Sequence, residues 1–225
     1  MERKQLMQGF ALLLSLLVSA NSQASLVINE IMYNPSVVAD SAGEWFELVN
    51  TGSSTLNLNG WTLFDEGSNS FSINQDLLVA SGDFVVLARN GDPLVNGGVM
   101  ADYIYGSGMT LSNTQDAIII SDAAGIEMDR VAWSSALGFP SATGASLALL
   151  DTTLDNRLGS SWQLSDSPFA GGDSGTPGVA NFLVVPAPVP EPSTWLMLGL
   201  GLLLLSAMAR SGDRGRALQR QVGHV

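Results

Sequence analysis

Two predominantly apolar, uncharged runs lie near the ends of the chain, at residues 10–20 and 195–209, and between them apolar and polar residues alternate only over short stretches. Successive side chains on a strand point to opposite faces, so this alternation predicts half-buried β-strands. Residues 26–33 open the series and stop at Asn34-Pro35, a dipeptide that turns the chain. Residues 44–50 follow, and Thr51-Gly52-Ser53-Ser54 turns again. In residues 61–65 the alternation sets Trp61 and Leu63 on one face and Thr62 and Phe64 on the other. Further runs at 71–73, 84–88, 117–120, 128–133 and 146–150 are separated by turn-forming clusters such as Ser81-Gly82-Asp83, Asn90-Gly91-Asp92-Pro93 and Ala123-Ala124-Gly125. No run here keeps a helical period beyond two turns. Many short strands with regular turns predict an all-β antiparallel sandwich or barrel.

The terminal runs read differently. Arg3 and Lys4, the apolar centre at 10–20 and the small residues Ser22-Gln23-Ala24 have the layout of a secretory signal peptide, residues 1–24. Cleavage between Ala24 and Ser25 fits best, with cleavage after Ala20 as the alternative. At the other end, Pro190 and Pro192 fix φ and remove backbone donors, so Val189-Pro190-Glu191-Pro192-Ser193-Thr194 must be an extended, exposed peptide. The uncharged run behind it, residues 195–209, would give roughly 22 Å of helix against a hydrocarbon core of about 30 Å. That makes it a marginal transmembrane helix. Arg210, Arg214, Arg216 and Arg220 in the 210–220 tail would keep the tail cytoplasmic and everything before Val189 outside.

A proline-bracketed acid, a short apolar helix and a basic tail together resemble the PEP-CTERM sorting signal of Gram-negative bacteria, here spanning residues 189–220. The resemblance implies recognition by an exosortase, a membrane-embedded protease that removes the helix and releases or attaches the protein at the cell surface. The implied route runs through the Sec translocon and an inner-membrane precursor held by one C-terminal transmembrane helix, with the domain on the periplasmic side.

Composition narrows the rest. Between the two signals lie eighteen carboxylates against three arginines, Arg89, Arg130 and Arg157. Such a surface repels phosphate backbones, so nucleic acid is not an expected partner. The only lysine is Lys4 and the only histidine His224, and the chain has no cysteine. The segment between the signals therefore lacks the usual general bases, amine and thiol nucleophiles and zinc ligands, and its stability must come from packing instead of disulfides.

The order of the middle pieces resembles the lamin tail domain, an immunoglobulin-like β-sandwich. The matching residues are Ile28-Asn29-Glu30-Ile31 with Tyr33-Asn34-Pro35, Glu44-Trp45-Phe46-Glu47-Leu48-Val49-Asn50, residues 58–63, residues 84–88 and the closing Thr176-Pro177-Gly178-Val179-Ala180-Asn181. The resemblance implies a sandwich over residues 25–181, followed by a Pro-rich linker at 182–188, and a non-catalytic role.

Candidate chemistry is sparse. Glu44 and Glu47, three apart on one expected strand, face opposite ways and cannot flank one glycosidic bond. Asp65 and Glu66 end a strand at a loop, a better seat for a carboxylate enzyme acting on envelope polysaccharide. The same pair, with Asp151 and Asp155, offers hard oxygen ligands for structural calcium without the spacing of an EF-hand loop; no cofactor is otherwise expected. Glu30 and Glu47, inside apolar strands, are expected to accept backbone N–H bonds or to pair with an arginine. Trp45, Trp61, Trp133 and Trp162 read as core residues in preference to a sugar-stacking platform. The expected protein is an exported cell-surface or matrix module that binds or supports, with exopolysaccharide as one candidate partner and no ligand identified by the sequence. The alternatives are a carboxylate- or calcium-dependent enzyme and a permanently anchored sandwich.

Overall fold

A computed structural model of the protein describes residues 26–169 and 171–182. The expected signal peptide, the linker beyond Phe182 and the whole sorting segment lie outside the described residues. So does the expected span at 195–209, and among the described residues no helix is long and apolar enough to cross a membrane.

Twelve short strands carry the fold: β1 (Leu26–Met32), β2 (Trp45–Asn50), β3 (Leu56–Asn57), β4 (Thr62–Phe64), β5 (Ser70–Ser72), β6 (Leu78–Val79), β7 (Phe84–Ala88), β8 (Tyr103–Ile104), β9 (Gln115–Ser121), β10 (Glu127–Ser134), β11 (Leu147–Leu149) and β12 (Trp162–Leu164). One helical turn, α1 (Asp40–Gly43), joins β1 to β2. A six-stranded sheet in the order β12-β11-β1-β2-β7-β8 faces a four-stranded sheet in the order β10-β9-β4-β5, and β3 pairs with β6 apart from both. The pairing is antiparallel throughout except between β7 and β8. Ile28, Phe46, Leu48 and Leu87 from the larger sheet pack with Leu63, Ile118, Ile120 and Val131 from the smaller one in a single core. The four expected core tryptophans are all buried.

β1 and β2 differ from half-buried strands, because every residue of both is buried. A bulge in β1 explains the arrangement. Ile28 pairs with Leu48 and Glu30 with Glu47, so Asn29 is an extra residue with no partner on β2. One inserted residue reverses which face each later side chain takes. Leu26 and Ile28 enter the main core before the bulge and Ile31 enters it afterwards. Met32 is turned to the outer face, where it packs with Trp45, Val86, Ala88 and Phe169. Glu30 is sent the same way. The outer face is therefore a second buried layer, closed by the C-terminal end of the domain.

Candidate functional site

The closing segment is built by a tight turn. The Val179 N–H donates to the Thr176 carbonyl at 3.1 Å, Pro177 presets the second position, and Gly178 takes φ 87°, the left-handed value that a type II turn requires at its third residue. Just ahead of it, Gly175 lies so close to Trp45 that an added Cβ would come within 2.9 Å of the indole. Glycine is thus needed at 175 for approach and at 178 for backbone conformation.

This turn presents its polar groups to two buried acids. The Thr176 N–H donates to Glu30 Oε1 at 2.9 Å and the Thr176 hydroxyl to Glu30 Oε2 at 2.8 Å. The Ser146 hydroxyl also donates to Glu30 Oε1. The Gly178 N–H donates to Glu47 Oε2, and Asn29 Nδ2 to Glu47 Oε1 at 2.7 Å. Asn181 completes the clasp: its Nδ2 donates to the carbonyls of Asn29 and Leu149, both at 2.9 Å, while its Oδ1 accepts from Asn29 Nδ2 at 3.0 Å. Asn29 can serve here because the bulge frees it from the β1–β2 ladder. Residues 176–181 thereby form a strap over β1, β2 and β11.

Glu30 and Glu47 are fully buried. Burial raises both carboxyl pKa values against the opposing effect of their hydrogen bonds, and Glu47 reaches about 8, pushed further by the negative charge of Glu30 and Asp102. The expected backbone N–H donors are present; the alternative, an arginine partner, is not. Arg89 instead meets Glu44, Nη1 to Oε2 at 2.9 Å, and the same oxygen accepts the Leu111 N–H. Burial still lifts Glu44 to about 7. Glu44 and Glu47 thus serve separate partners.

The other two described arginines lie at the surface, around a cleft of about 530 Å³ formed by the start of β10, Thr51 and the loop at 152–157. Arg130 is spanned by Glu127, at Nε and Nη2, and by Glu66 at Nη1. Arg157 meets Asp155 through Nε, and two thirds of its side chain is exposed. At the edge of this cleft, Asp129 Oδ2 accepts the Ile28 N–H at 2.6 Å and Asn156 Nδ2 at 2.8 Å, linking the two sheets.

The acids expected to offer catalysis or calcium binding occupy loops that use them. Asp65 accepts the Gly67 and Asn69 N–H groups and Asn69 Nδ2, and Glu66 turns to Arg130. Asp151 accepts the Thr153 N–H and hydroxyl, and Asp155 the Arg157 N–H. These bonds hold the pKa values of Asp151 and Asp155 below the usual carboxylate range. Asp65 and Glu66 line a second cleft of about 370 Å³ with Asp116, but among the described residues no three acidic groups are placed to hold a metal ion. The sequence did not single out Ser146, Thr176 or Asn181 as partners of buried acids. Their signal was indirect: the pieces carrying the family resemblance at residues 28–31, 44–50 and 176–181 are the ones that meet here.

Two family models match the chain. One, described as Lamin Tail Domain, covers residues 19–135, just over half of the sequence. The other, described as a PEP-CTERM protein-sorting motif, covers residues 188–211. No curated protein matches. The first match ends within the turn after β10, whereas β11 and β12 complete the six-stranded sheet beyond it.

Proposed function

The chain belongs to the lamin tail domain family, and from that premise we propose that it is an exported, immunoglobulin-like surface module of a Gram-negative bacterium, non-catalytic and serving to bind or to support. The presence of the sorting motif behind a sandwich domain in one chain carries this reading. The motif implies export and recognition by exosortase. In the precursor, Pro190, Glu191 and Pro192 would present the recognition peptide, residues 195–209 would hold the membrane, and the four arginines from 210 to 220 would fix its direction.

The cleft at Arg157 is the seat we assign to a ligand. Its exposed polar lining includes Thr153, Asp155 and Arg157, where the ion pair of Arg157 with Asp155 leaves no surplus of positive charge. The strongly negative domain disfavours a polyanion. A neutral, hydroxyl-rich envelope polysaccharide fits both facts.

Intact-mass measurement of the full chain expressed in hosts with and without an exosortase tests the reading. With the protease, the product is expected to start at Ser25 and to lack residues 195–209; without it, or with Glu191→Ala, those residues stay. Retention of the segment in both hosts would favour a permanent anchor. Calorimetric titration with neutral and acidic envelope polysaccharides, repeated on Arg157→Ala, tests the cleft. Glycan cleavage that disappears when Asp65 and Glu66 are replaced by alanine would support an enzyme instead.

A further inference from the structure

Buried acids normally come with a cation or stand alone. Glu30 and Glu47 do neither. They are direct cross-strand partners on β1 and β2, and such neighbours hold their Cβ atoms roughly 5 Å apart. Both are fully buried, among the described residues no arginine contacts either one, and the domain has no lysine or histidine to offer. The charged groups acting on the pair are each other and Asp102, whose Oδ2 accepts the Val86 N–H on neighbouring β7. The strap brings no charge; Thr176, Gly178 and Asn181 bring only hydrogen-bond donors and amide groups. Two ionised carboxylates so placed repel strongly in a low-dielectric site, whereas a pair that holds one proton carries a single charge and escapes that repulsion.

We propose that the strap at residues 176–181 is a proton-dependent latch, closed while the cross-strand pair Glu30 and Glu47 holds one proton and lifted when both are ionised. Lifting exposes the two acids to water, which screens their repulsion, and leaves the two sheets and their main core in place. The pKa of Glu47, raised to about 8, sets the change in the mildly alkaline range. The strap has the structure of a moving part. It pairs with no strand, and of its residues Val179 stays largely exposed.

Hydrogen exchange measured by mass spectrometry on the full chain in detergent tests this, with rates corrected for the intrinsic effect of pH. Between pH 6 and pH 9, protection of the Thr176 and Gly178 amides is expected to fall at least tenfold more than that of the Ile118–Ile120 amides of β9, which decline only with the overall stability. Glu47→Gln, a neutral isostere, is expected to keep the strap protected at both pH values; Glu30→Gln provides the same test where the first variant does not fold. Unchanged strap protection at pH 9 would overturn the latch. So would a parallel loss in β9, which would mean global unfolding, or a pH response that survives both substitutions.

Discussion

Arg89 Nη1 lies 2.9 Å from Glu44 Oε2, joining the last turn before β2 to the end of β7 through a carboxylate that is fully buried. The guanidinium keeps a slight exposure, so the cost of dehydrating the pair falls mainly on Glu44. Removing the cation alone strands the acid. Arg89→Met is expected to destabilise the domain by about 3–5 kcal/mol, while Arg89→Met combined with Glu44→Leu recovers most of that loss. Urea denaturation of the two variants measures the difference.

Stability is expected to decline as pH rises. Glu44 and Glu47 have folded-state pKa values of about 7 and about 8, above the ordinary 4.5, and Glu30 is shifted the same way. A raised carboxyl pKa gives stabilisation that is complete below the unfolded value and disappears as pH climbs through the folded one. Glu47 removes on the order of 1 kcal/mol per pH unit between roughly pH 5 and 8 and Glu44 between roughly pH 5 and 7, with Glu30 acting in the same direction. Melting temperatures should therefore fall steadily across this window, and Glu47→Gln should flatten the slope.

Asn181 is the residue on which the clasp depends most. Asn181→Ala leaves the carbonyls of Asn29 and Leu149 without a donor, at a cost of about 2–4 kcal/mol. Asn181→Asp, similar in shape, is expected to be worse at neutral pH, because it brings a third carboxyl to Glu30 and Glu47. Thermal melting at pH 5 and pH 8 separates these cases: the aspartate variant should recover in acid and the alanine variant should not.

Gly178→Ala tests backbone conformation alone. The φ of 87° costs an L residue roughly 1–2 kcal/mol, and any relaxation draws the 178 N–H away from Glu47. The core strands should be untouched, so near-ultraviolet circular dichroism is expected to stay native-like while the melting temperature drops by a few degrees.

Calcium is expected to leave the melting temperature unchanged relative to a chelator. Asp65, Asp151 and Asp155 already accept N–H groups from their own loops, and a cation would have to displace them. A rise of several degrees with calcium would show that one of these loops rearranges into a site.

The sequence made the long strands legible. The run at 84–88 coincides with β7, and those at 117–120 and 128–133 fall within β9 and β10. Strands β3, β6 and β8 have two residues each, too few to display a period. The bulge at Asn29 was hidden for a different reason. Pattern alone assigns Glu30 to the same face as Ile28, and only the pairing register shows that it turns away. Burial of Glu30 and Glu47 could be read from their apolar neighbours, but their partners could not, because Thr176 and Asn181 are more than a hundred residues distant. The turn at 176–179 was visible in its proline and glycine; what it covers was not.

The position of the clasp in the chain bears on how the molecule reaches its folded form. β1 lies in the middle of its sheet, between β2 and β11, yet two of the three groups that satisfy its glutamate belong to Thr176, among the last described residues. A polypeptide threaded through a membrane from its first residue onward would present the acids early and the strap that covers them only after more than a hundred further residues. Until then the outer layer has no cover, and folding cannot run to completion inside the transport channel. Delayed closure would keep the nascent chain extended while it is being moved and let it compact once its tail has arrived.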